Sequence, residues 1–467
     1  MIIGLGAIGR GLLPLIERHF EFDKDRCVVI DCDEQNRALV DERGIRFLRM
    51  ELNPRNLRDV LTPLLTNGEG QPFCVNVAVD VSSLAVMRLC RELGALYIDA
   101  ATEPWLEVHG DDNITLADKT CYAYREESIL KEKPSGPPGT VTAVTCSGAN
   151  PGMVSWLTKQ ALLNLAADLG MSKDVPQTQE AWARLMRDCG VKGIHIAERD
   201  TQQAKHPRPV HVFSNTWSPE CMMTEALRPA EIGWGTHEKW MPANACQHDY
   251  GTKAAIYMTA PGGSTRVRTW CPGVGGQSAF LIPHEETVSI ADYFTLGEGA
   301  EPAYRPTCHY AYHPCDHAVL SLHEMFGRSE GKQKKKRVLA PQDIVSGSDE
   351  LGVLLYGHAR NAYWYGSHLT IEEARQLAPY QNATTMQVTS GVLAGMVWAL
   401  ENPKAGIVEP EEMDFSRCLE VQRPYLGTVK GVYTNWTPLE SVQDSYPEDI
   451  DADDPWQFRN ILEGNAA

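Results

Sequence analysis

The sequence lacks the features that mark several other classes of protein. Its thirteen cysteines include no Cys-x-x-Cys pair, which argues against a disulfide framework and favours reduced thiols. No uninterrupted apolar stretch approaches the roughly 20 residues that span a bilayer. The first twenty residues also lack the basic start, apolar run and cleavage site of a secretory signal. These absences predict a soluble, cytoplasmic protein.

Positive charge is also scarce. Lys and Arg number 43 against 61 Asp and Glu, which gives a formal net charge of −18. Binding to a phosphate backbone depends on clustered Lys and Arg, so we expect neither nucleic acid nor a membrane as a partner. A cationic small molecule suits this field better. The basic run KQKKKR at 332–337 is predicted to be an exposed loop without a function of its own.

Length and patterning predict two domains. The chain of 467 residues exceeds the ~250–300 residues at which a single core stops growing. Its first hundred residues alternate short β-branched runs with helical patterns, which is typical of a doubly wound parallel α/β sheet. A Pro/Gly-rich stretch at 131–140 predicts a loop or hinge after this pattern. We therefore expect the first domain, with a sheet of this type, to span 1–150.

The remaining chain has a mixed pattern. Helical and strand-like runs over 151–385 predict a second α+β domain. A helix rich in small residues near 386–402 is expected to complete the first domain. Residues 403–467 are predicted to form a C-terminal extension whose tail is too acidic to belong to the core.

A glycine loop stands at the start of the chain. Gly4, Gly6 and Gly9 follow the short run of strand residues, with Ala7 and Ile8 between them, and fit G-x-G-x-x-G. The glycines allow a tight turn, an approach of backbone N–H groups to a pyrophosphate, and close packing of helix on sheet. The alternative is a glycine turn that binds nothing. The loop begins at residue four, which predicts a chain that starts within its first strand or lacks a short leader.

Four further residues extend this dinucleotide pattern. Asp31 ends the next strand, about twenty residues on, where a carboxylate binds a ribose 2′-OH and repels a 2′-phosphate, so the cofactor is predicted to be NAD. The domain over 1–150 is therefore predicted to be an NAD-binding domain of Rossmann type. Asn76, Val79 and Asp80 follow the fourth strand, which borders the cofactor crevice in such sheets. Asp80 has an equally good alternative as the cap of the following helix.

A tryptophan-rich segment, NTWSPECMMTEALRPAEIGWGTHE, lies near the middle of the chain, at 215–238. Tryptophan faces attract ammonium groups, and a partly buried carboxylate can pair with an amine and serve as its base. Trp217 and Glu225, with Trp234 as a further binding residue, therefore suggest an amine pocket. The alternative is a helix with core tryptophans and solvated acids.

Other polar residues are scattered, and only their convergence would make a site. They are Glu103, Glu198, His284, Glu286 and Asp349. The stretch TCHYAYHPCDH superficially resembles a zinc cluster, but its spacings do not match a Cys-x₂-Cys with a paired His motif. We expect a histidine-rich loop or strand there and no metal.

Several segments together resemble the bacterial NAD-dependent homospermidine synthases, relatives of saccharopine and carboxynorspermidine dehydrogenases. They are GLGAIGRGLLPLIERHF, CSGANPGMVSW, the tryptophan-rich segment, IPHEE, HYAYHPCD and SDELGVLLYGH. The resemblance implies a homodimer that joins two putrescines, or spermidine and putrescine, into homospermidine, with release of ammonia or diaminopropane. It assigns substrate binding and dimerisation to the domain over 151–385. It also implies imine intermediates and a hydride that bound NAD takes up and returns. Related chains carry a longer segment before the glycine loop.

The resemblance further implies roles for individual residues. Trp217 matches a tryptophan that stabilises cationic intermediates, Glu225 a glutamate for amine binding and proton transfer, and Asn150 a residue near the nicotinamide. Polar residues of the diamine pocket match Glu198, His284, Glu286 and Asp349, and acids near the inner amine match Asp80 and Glu103. Proton transfer could fall on Glu225, Glu198 or His284. The rival functions are a dehydrogenase with net NAD(P)H turnover and a nucleotide-binding sensor without catalysis.

Overall fold

A computed structural model describes residues 1–109, 113–133, 139–171, 174–297, 301–327, 331–441 and 450–464. It divides into two compact units. The first comprises Met1–Ile114, Tyr124–Met153 and Glu372–Tyr425, and the second Thr115–Ala123, Val154–Ile371 and Leu426–Ala467. Part of the hinge predicted at 131–140 lies outside the described residues. Within the described ranges, none of the helices is both long enough and apolar enough to cross a bilayer.

The β-strands follow in chain order. They are β1 (Ile2–Ile3), β2 (Val28–Asp31), β3 (Arg46–Arg49), β4 (Phe73–Asn76), β5 (Leu96–Asp99), β6 (Ala143–Val144), β7 (Gly193–Asp200), β8 (Gln203–Ala204), β9 (Val212–Asn215), β10 (Pro229–Gly233), β11 (Ala245–Cys246), β12 (Ala255–Pro261), β13 (Arg266–Cys271), β14 (Gly275–Leu281), β15 (Thr307–His313), β16 (Lys335–Val338), β17 (Ile344–Ser346), β18 (Ser348–His358), β19 (Asn361–Thr370), β20 (Ile407–Val408), β21 (Thr428–Thr434) and β22 (Leu462–Glu463).

The α-helices are numbered in the same way. They are α1 (Ala7–His19), α2 (Arg37–Asp41), α3 (Leu57–Leu65), α4 (Ser83–Glu92), α5 (Leu106–His109), α6 (Cys121–Tyr124), α7 (Met153–Asp168), α8 (Gln179–Asp188), α9 (Pro219–Leu227), α10 (Glu285–Tyr293), α11 (Asp316–Gly327), α12 (Ile371–Leu377), α13 (Ala383–Glu401), α14 (Phe415–Gln422) and α15 (Phe458–Ile461). A π-helical turn, Arg125–Leu130, follows α6.

The first unit contains a parallel sheet in the order β20-β6-β5-β4-β1-β2-β3. This confirms the doubly wound sheet that the sequence predicts. Strand β1 pairs with β2 on one side and with β4 on the other, so the strand order reverses at β1. Ligands of such sheets bind outside the carboxyl ends of the strands at this reversal, which is where the glycine loop lies.

The long helix predicted near 386–402 is α13, and it belongs to the first unit. Asn382 caps its N-terminus by accepting a hydrogen bond from the backbone N–H of Thr385 at 2.9 Å. The helix packs against α1, and the Gln381 side chain donates to the carbonyl oxygen of Ala7 at 3.1 Å. The start of α1, the helix that follows the glycine loop, is therefore stabilised by residues far along the chain.

The structure differs from the predicted C-terminal extension over 403–467. Strand β20 pairs with β6 in the first sheet, and β21 pairs with β19 in the second. The end of the acidic tail is also core, because Trp456 and Phe458 are buried. Two of its carboxylates form ion pairs, Asp451 with Lys239 at 2.8 Å and Asp454 with Lys192 at 2.7 Å. The rest of the predicted tail, 442–449, lies outside the described residues.

The second unit is built on a mixed sheet with the main order β11-β12-β10-β15-β7-β18-β19-β21. Strands β7 and β15 are parallel at its centre, and the remaining pairs are antiparallel. This is the α+β architecture that the sequence predicts. The basic run at 332–337 was predicted to be a loop. This is wrong for its second half, because Lys335–Val338 forms β16 and pairs with β9.

Strand alternation gives the central sheet two chemically different faces. Glu198 on β7 pairs in register with Tyr312 on β15, and Asp200 on β7 pairs with Asp349 on β18. Side chains two residues apart along a strand share a face, so these acids and the tyrosine lie on one face. His195 and its neighbour His309 lie on the other, which is covered by a hydrophobic cluster that includes Trp456.

The buried His195–His309 pair predicts a loss of stability in acid. Burial lowers the pKa of His309 to about 3 and that of His195 well below its usual value, to which His309 also contributes. Neither ring nitrogen of His309 has a hydrogen-bond partner among the described residues. The unfolded chain binds a proton at each site below pH ~6.5, whereas the folded protein does not. As the pH is lowered below ~6.5, the free energy of unfolding therefore decreases by about 1.4 kcal/mol per pH unit for each imidazole.

We expect the free energy of unfolding of His309→Gln to decrease less steeply than that of the wild type as the pH is lowered below ~6, by about 1.4 kcal/mol per pH unit. Urea unfolding between pH 5 and 7 measures it. The matched control is His323→Gln, which replaces an exposed imidazole. Equal pH dependence of the wild type and His309→Gln would contradict the prediction.

Candidate active site

The glycine loop connects β1 to α1 in the first unit. Gly4 has a φ of +96°, which favours glycine, and its N–H donates to the carbonyl oxygen of Ile30 at 2.8 Å. A Cβ at Gly4 would approach the backbone nitrogen of Ala78 to 2.7 Å, and one at Gly9 would collide with the carbonyl oxygen of Gly4. These two glycines therefore allow β1, the loop after β4 and the start of α1 to meet closely.

Gly6, in contrast, lies beside open space at the N-terminus of α1. It precedes α1 without a side-chain cap, and the first turn, which begins at Ala7 and Ile8, contains no acidic residue. Apart from Gly6 itself and its two chain neighbours, no residue of the described structure has an atom within 4 Å of the position that a Gly6 Cβ would take. The N-terminus of a 13-residue helix thus presents backbone N–H groups to open space, which suits the pyrophosphate of a dinucleotide.

Asp31 lies beside the same loop. One of its carboxylate oxygens accepts a hydrogen bond from the backbone N–H of Leu5 at 2.5 Å, and the other from Asp33 at 2.8 Å. The negative charge next to the glycine loop fits a ribose hydroxyl and disfavours a 2′-phosphate. The residues present therefore fit NAD.

The loop after β4 carries the other residues predicted for this region. Asn76 is buried and its amide donates to the carbonyl oxygen of Val81 at 3.4 Å, while Val79 is 38% exposed. The capping interpretation of Asp80 is wrong, because Ser82 caps α4 and Asp80 adopts a φ of +65°.

Asn150 and Glu103 also belong to the first unit. Asn150 precedes Pro151 in a turn that a backbone hydrogen bond from Gly148 to Pro151 closes at 2.7 Å. The backbone N–H of Glu103 binds the Ser83 hydroxyl at 3.0 Å. Both residues follow the carboxyl ends of sheet strands, as the sequence predicts, but their roles stay predictions.

In the second unit, His284 brings two of the predicted acids together. It immediately precedes α10. Its Nε2 lies 3.3 Å from Glu225 Oε2 on α9. Its Nδ1 lies 3.2 Å from Glu286 Oε1 in the first turn of α10. The side chains of His284 and Glu286 are 8% and 1% exposed, whereas that of Glu225 is 17% exposed. Glu225 is therefore the member of this triad that a substrate can reach most easily.

Electrostatics favour a charged imidazole in this triad. Burial alone would lower the pKa of His284, but Glu286 and Glu225 outweigh it through charge and hydrogen bonding and raise that pKa well above its usual value. A protonated His284 between two carboxylates is an acid that can exchange a proton with the more exposed Glu225.

Aromatic residues join this triad to Glu198 and Trp217. The Tyr310 ring lies 4.5 Å from the His284 ring, centroid to centroid, and its hydroxyl donates to Glu198 Oε2 at 2.5 Å. Tyr312 stacks on Tyr310 at 5.3 Å, and its hydroxyl accepts a hydrogen bond from Trp217 Nε1 at 3.1 Å. Glu198, Trp217, Glu225, His284 and Glu286 are thus one connected group.

Two of the predicted residues have other surroundings. Asp349 is buried on β18 in register with Asp200, on the sheet face that carries Glu198. Trp234 is not part of the connected group, because its ring lies 6.3 Å from that of Phe458 against the hydrophobic cluster. Its predicted role in substrate binding therefore has no support from its position.

Sequence reasoning missed Tyr310, Tyr312 and Asp200. The two tyrosines lie two residues apart in a stretch predicted as a loop or strand, and strand alternation could have placed them on one face. Asp200 accepts a hydrogen bond from the Thr216 hydroxyl at 2.7 Å, which no local pattern reveals. In the part of the chain that the structure describes, no group of three or more His, Cys, Asp or Glu residues has a geometry that could hold a metal.

Comparisons with known proteins cover both units. The model of the saccharopine dehydrogenase NADP binding domain matches residues 1–144, and that of the saccharopine dehydrogenase C-terminal domain matches 148–434. Homospermidine synthases of Mesorhizobium japonicum and Blastochloris viridis are each 59% identical, over 99% of this chain and 96% of theirs.

A solved structure agrees with these relatives. The homospermidine synthase from Legionella pneumophila, in complex with NAD, has a TM-score of 0.91 and 43% identity, over 99% of this chain and 97% of that one. Sequence, family models and fold therefore agree, and the chain belongs to the homospermidine synthase family.

Proposed function

We propose that this protein is a homospermidine synthase, a transferase that condenses two putrescines into homospermidine and releases ammonia. Spermidine can replace one putrescine, with release of diaminopropane. The observation that carries the proposal is the group of His284, Glu225 and Glu286, which is joined to Trp217 through stacked tyrosines. Carboxylates and an indole suit a diamine and its iminium intermediates.

The cofactor that fits the first unit is NAD. Gly4, Gly6 and Gly9 would cradle its pyrophosphate together with Ala7 and Ile8, and Asp31 its ribose, while Asn76 and Val79 border it. When bound, NAD would supply the site with a hydride acceptor that returns the hydride, so the reaction needs no net redox change. The matched family is named for NADP binding, but the carboxylate of Asp31 favours NAD here.

The residues of the second unit would bind the substrate and transfer protons. Glu225 would accept a proton from the attacking amine and pass it to the leaving amine, with the charged His284 beside it. Glu286 would hold His284 in this orientation, Glu198 and Asp349 would bind ammonium groups, and the Trp217 face would stabilise the cationic intermediate.

The proposal also includes roles for three residues of the first unit, and it includes an oligomeric state. We assign Asn150, Asp80 and Glu103 to substrate on the strength of the family resemblance. We also propose a cytoplasmic homodimer with small polyamines as its partners. Substitution of each residue and light scattering of the purified protein test these assignments.

The function is tested by incubating the purified protein with putrescine and sub-stoichiometric NAD. Mass spectrometry follows polyamines and absorbance follows NADH over many turnovers. We expect homospermidine and ammonia to accumulate without net NADH. NADH that rises in step with substrate loss, or a need for added NADPH, would assign the protein instead to a dehydrogenase of the saccharopine or carboxynorspermidine type.

Asp31 gives a prediction for cofactor choice. We expect Asp31→Asn to weaken NAD binding by about 10- to 100-fold, because a hydrogen bond to a charged group contributes about 1.5–3 kcal/mol. NADP should be affected less, since the repulsive charge is gone. Calorimetric titration with each dinucleotide measures this. Asp33→Asn, a change at the neighbouring exposed acid, is the control, and an unchanged ratio of the two affinities in Asp31→Asn would contradict the prediction.

A further inference from the structure

Two stacked tyrosines on β15 connect the ends of the candidate site. The rings of Tyr310 and Tyr312 are 5.3 Å apart with an interplanar angle of 12°, and both side chains are buried. Their hydroxyls have different partners: that of Tyr310 donates to Glu198, whereas that of Tyr312 accepts from Trp217 Nε1. The pair therefore allows two hydroxyl groups of similar burial to be compared by the same substitution.

The backbone next to Trp217 is fixed independently of Tyr312. The Thr216 hydroxyl donates to Asp200 at 2.7 Å, and Ser218 caps α9 by accepting a hydrogen bond from the N–H of Cys221 at 3.2 Å. What remains variable at Trp217 is the rotation of its half-buried side chain. Its Nε1 is a donor only, and Tyr312 provides the acceptor that sets the plane of the indole.

Electrostatics keep this acceptor in one form. Burial raises the pKa of Tyr312 well above its usual value, and the carboxylates of Glu198, Asp200 and Asp349 add to the rise. Tyr312 is therefore a neutral phenol over the pH range in which polyamines are dications. A neutral acceptor orients the indole without adding a charge that would compete with the carboxylates for the substrate.

We propose that Tyr312 is a positioning residue that fixes the plane of the Trp217 indole for its contact with the cationic intermediate. This inference rests on the proposed function. A cation interacts well with an indole only when it lies over the ring face within about 6 Å of the centroid. An indole free to rotate would therefore bind the intermediate less well, although the residue itself is retained.

A double-mutant cycle tests the proposal. Tyr312→Phe keeps the ring and its stacking but removes the acceptor, and we expect kcat for homospermidine formation to fall about tenfold, with a smaller change in KM. In a Trp217→Phe background, which has no indole N–H, Tyr312→Phe should have no further effect. Tyr310→Phe is the matched control, because its hydroxyl binds Glu198, so its effect should persist in that background.

A second readout does not depend on turnover. The indole ¹H–¹⁵N resonance of Trp217 is identified by its loss in Trp217→Phe, and it should shift upfield in Tyr312→Phe but less in Tyr310→Phe. Tyr433→Phe removes a hydroxyl on β21 that donates to Asp168 at the end of α7, and it should leave both the resonance and kcat unchanged.

The outcomes separate the two proposals. Equal effects of Tyr312→Phe in the wild-type and Trp217→Phe backgrounds, or an unmoved Trp217 resonance, would overturn the positioning role. A wild-type protein that makes no homospermidine would overturn the proposed function, and the resonance would then still decide whether Tyr312 fixes the indole.

Discussion

Glu225→Gln is expected to lower kcat by about 10²–10⁴-fold, the usual contribution of a positioned acid or base. The amide keeps the size of the side chain but cannot accept a proton from an amine. It also leaves His284 with one flanking carboxylate, Glu286, in place of two. Dinucleotide binding and the unfolding transition should stay close to those of the wild type. Steady-state rates with putrescine, followed by mass spectrometry, measure the effect.

Helix α9 provides a control for this change. Glu220 lies in its first turn, about 40% exposed, with a surface ion pair to Lys336 at 3.3 Å. Glu220→Gln should change kcat by less than about twofold, since such pairs contribute little. If Glu225→Gln kept wild-type turnover while Glu198→Gln lost it, proton transfer would have to be reassigned to Glu198.

The largest effect on stability is expected at Glu409 in the first unit. Its carboxylate binds Arg125 at 2.6 Å, with side chains that are 7% and 5% exposed, and it also binds Lys133 at 2.8 Å. Burial alone would raise the pKa of Glu409, but Arg125 and Lys133 outweigh burial and lower it well below its usual value. Glu409→Gln removes the charged carboxylate that binds this buried guanidinium in two places, and should reduce the free energy of unfolding by about 3–5 kcal/mol at pH 7.

Urea unfolding measures this loss, and Glu412→Gln is its control. Glu412 binds the same lysine at 2.8 Å, but its side chain is 40% exposed, so its replacement should cost less than about 1 kcal/mol. The folded protein lowers the pKa of Glu409. The carboxylate therefore contributes its full share to the free energy of unfolding above the unfolded pKa of ~4.3, and this share is lost as the pH falls through the folded-state pKa. The gap between wild type and Glu409→Gln should therefore narrow below pH ~4, and a gap that is constant with pH would contradict this origin.

The first sheet could be predicted because its signals are local. Each buried parallel strand appears as a β-branched run followed by a helical pattern, and the glycine spacing marks the first turn. Strand β20 could not be predicted in this way. It has only two residues, Ile407 and Val408, and its partner β6 lies more than 260 residues earlier in the chain. No local pattern reports such a pairing.

The candidate site was predictable as a set of residue types but not as an arrangement. Glu225 and His284 are 59 residues apart, and only the packing of α9 near the start of α10 brings them together. Trp234 shows the opposite case, since it stands in the same tryptophan-rich segment as Trp217 but packs against Phe458. Proximity in sequence was a poor guide because β10 begins directly after α9 and directs the chain away.

The two faces of the central sheet restrict how the length of this chain can change during evolution. A single residue inserted at the start of β15, before His309, would move Tyr310 and Tyr312 to the face of the hydrophobic cluster and bring His309 to the other face. The contacts to Glu198 and Trp217 would be lost together, and an imidazole would leave its buried position. Strands β7, β15 and β18 can therefore exchange side chains one at a time, whereas insertions and deletions must be confined to the loops between them.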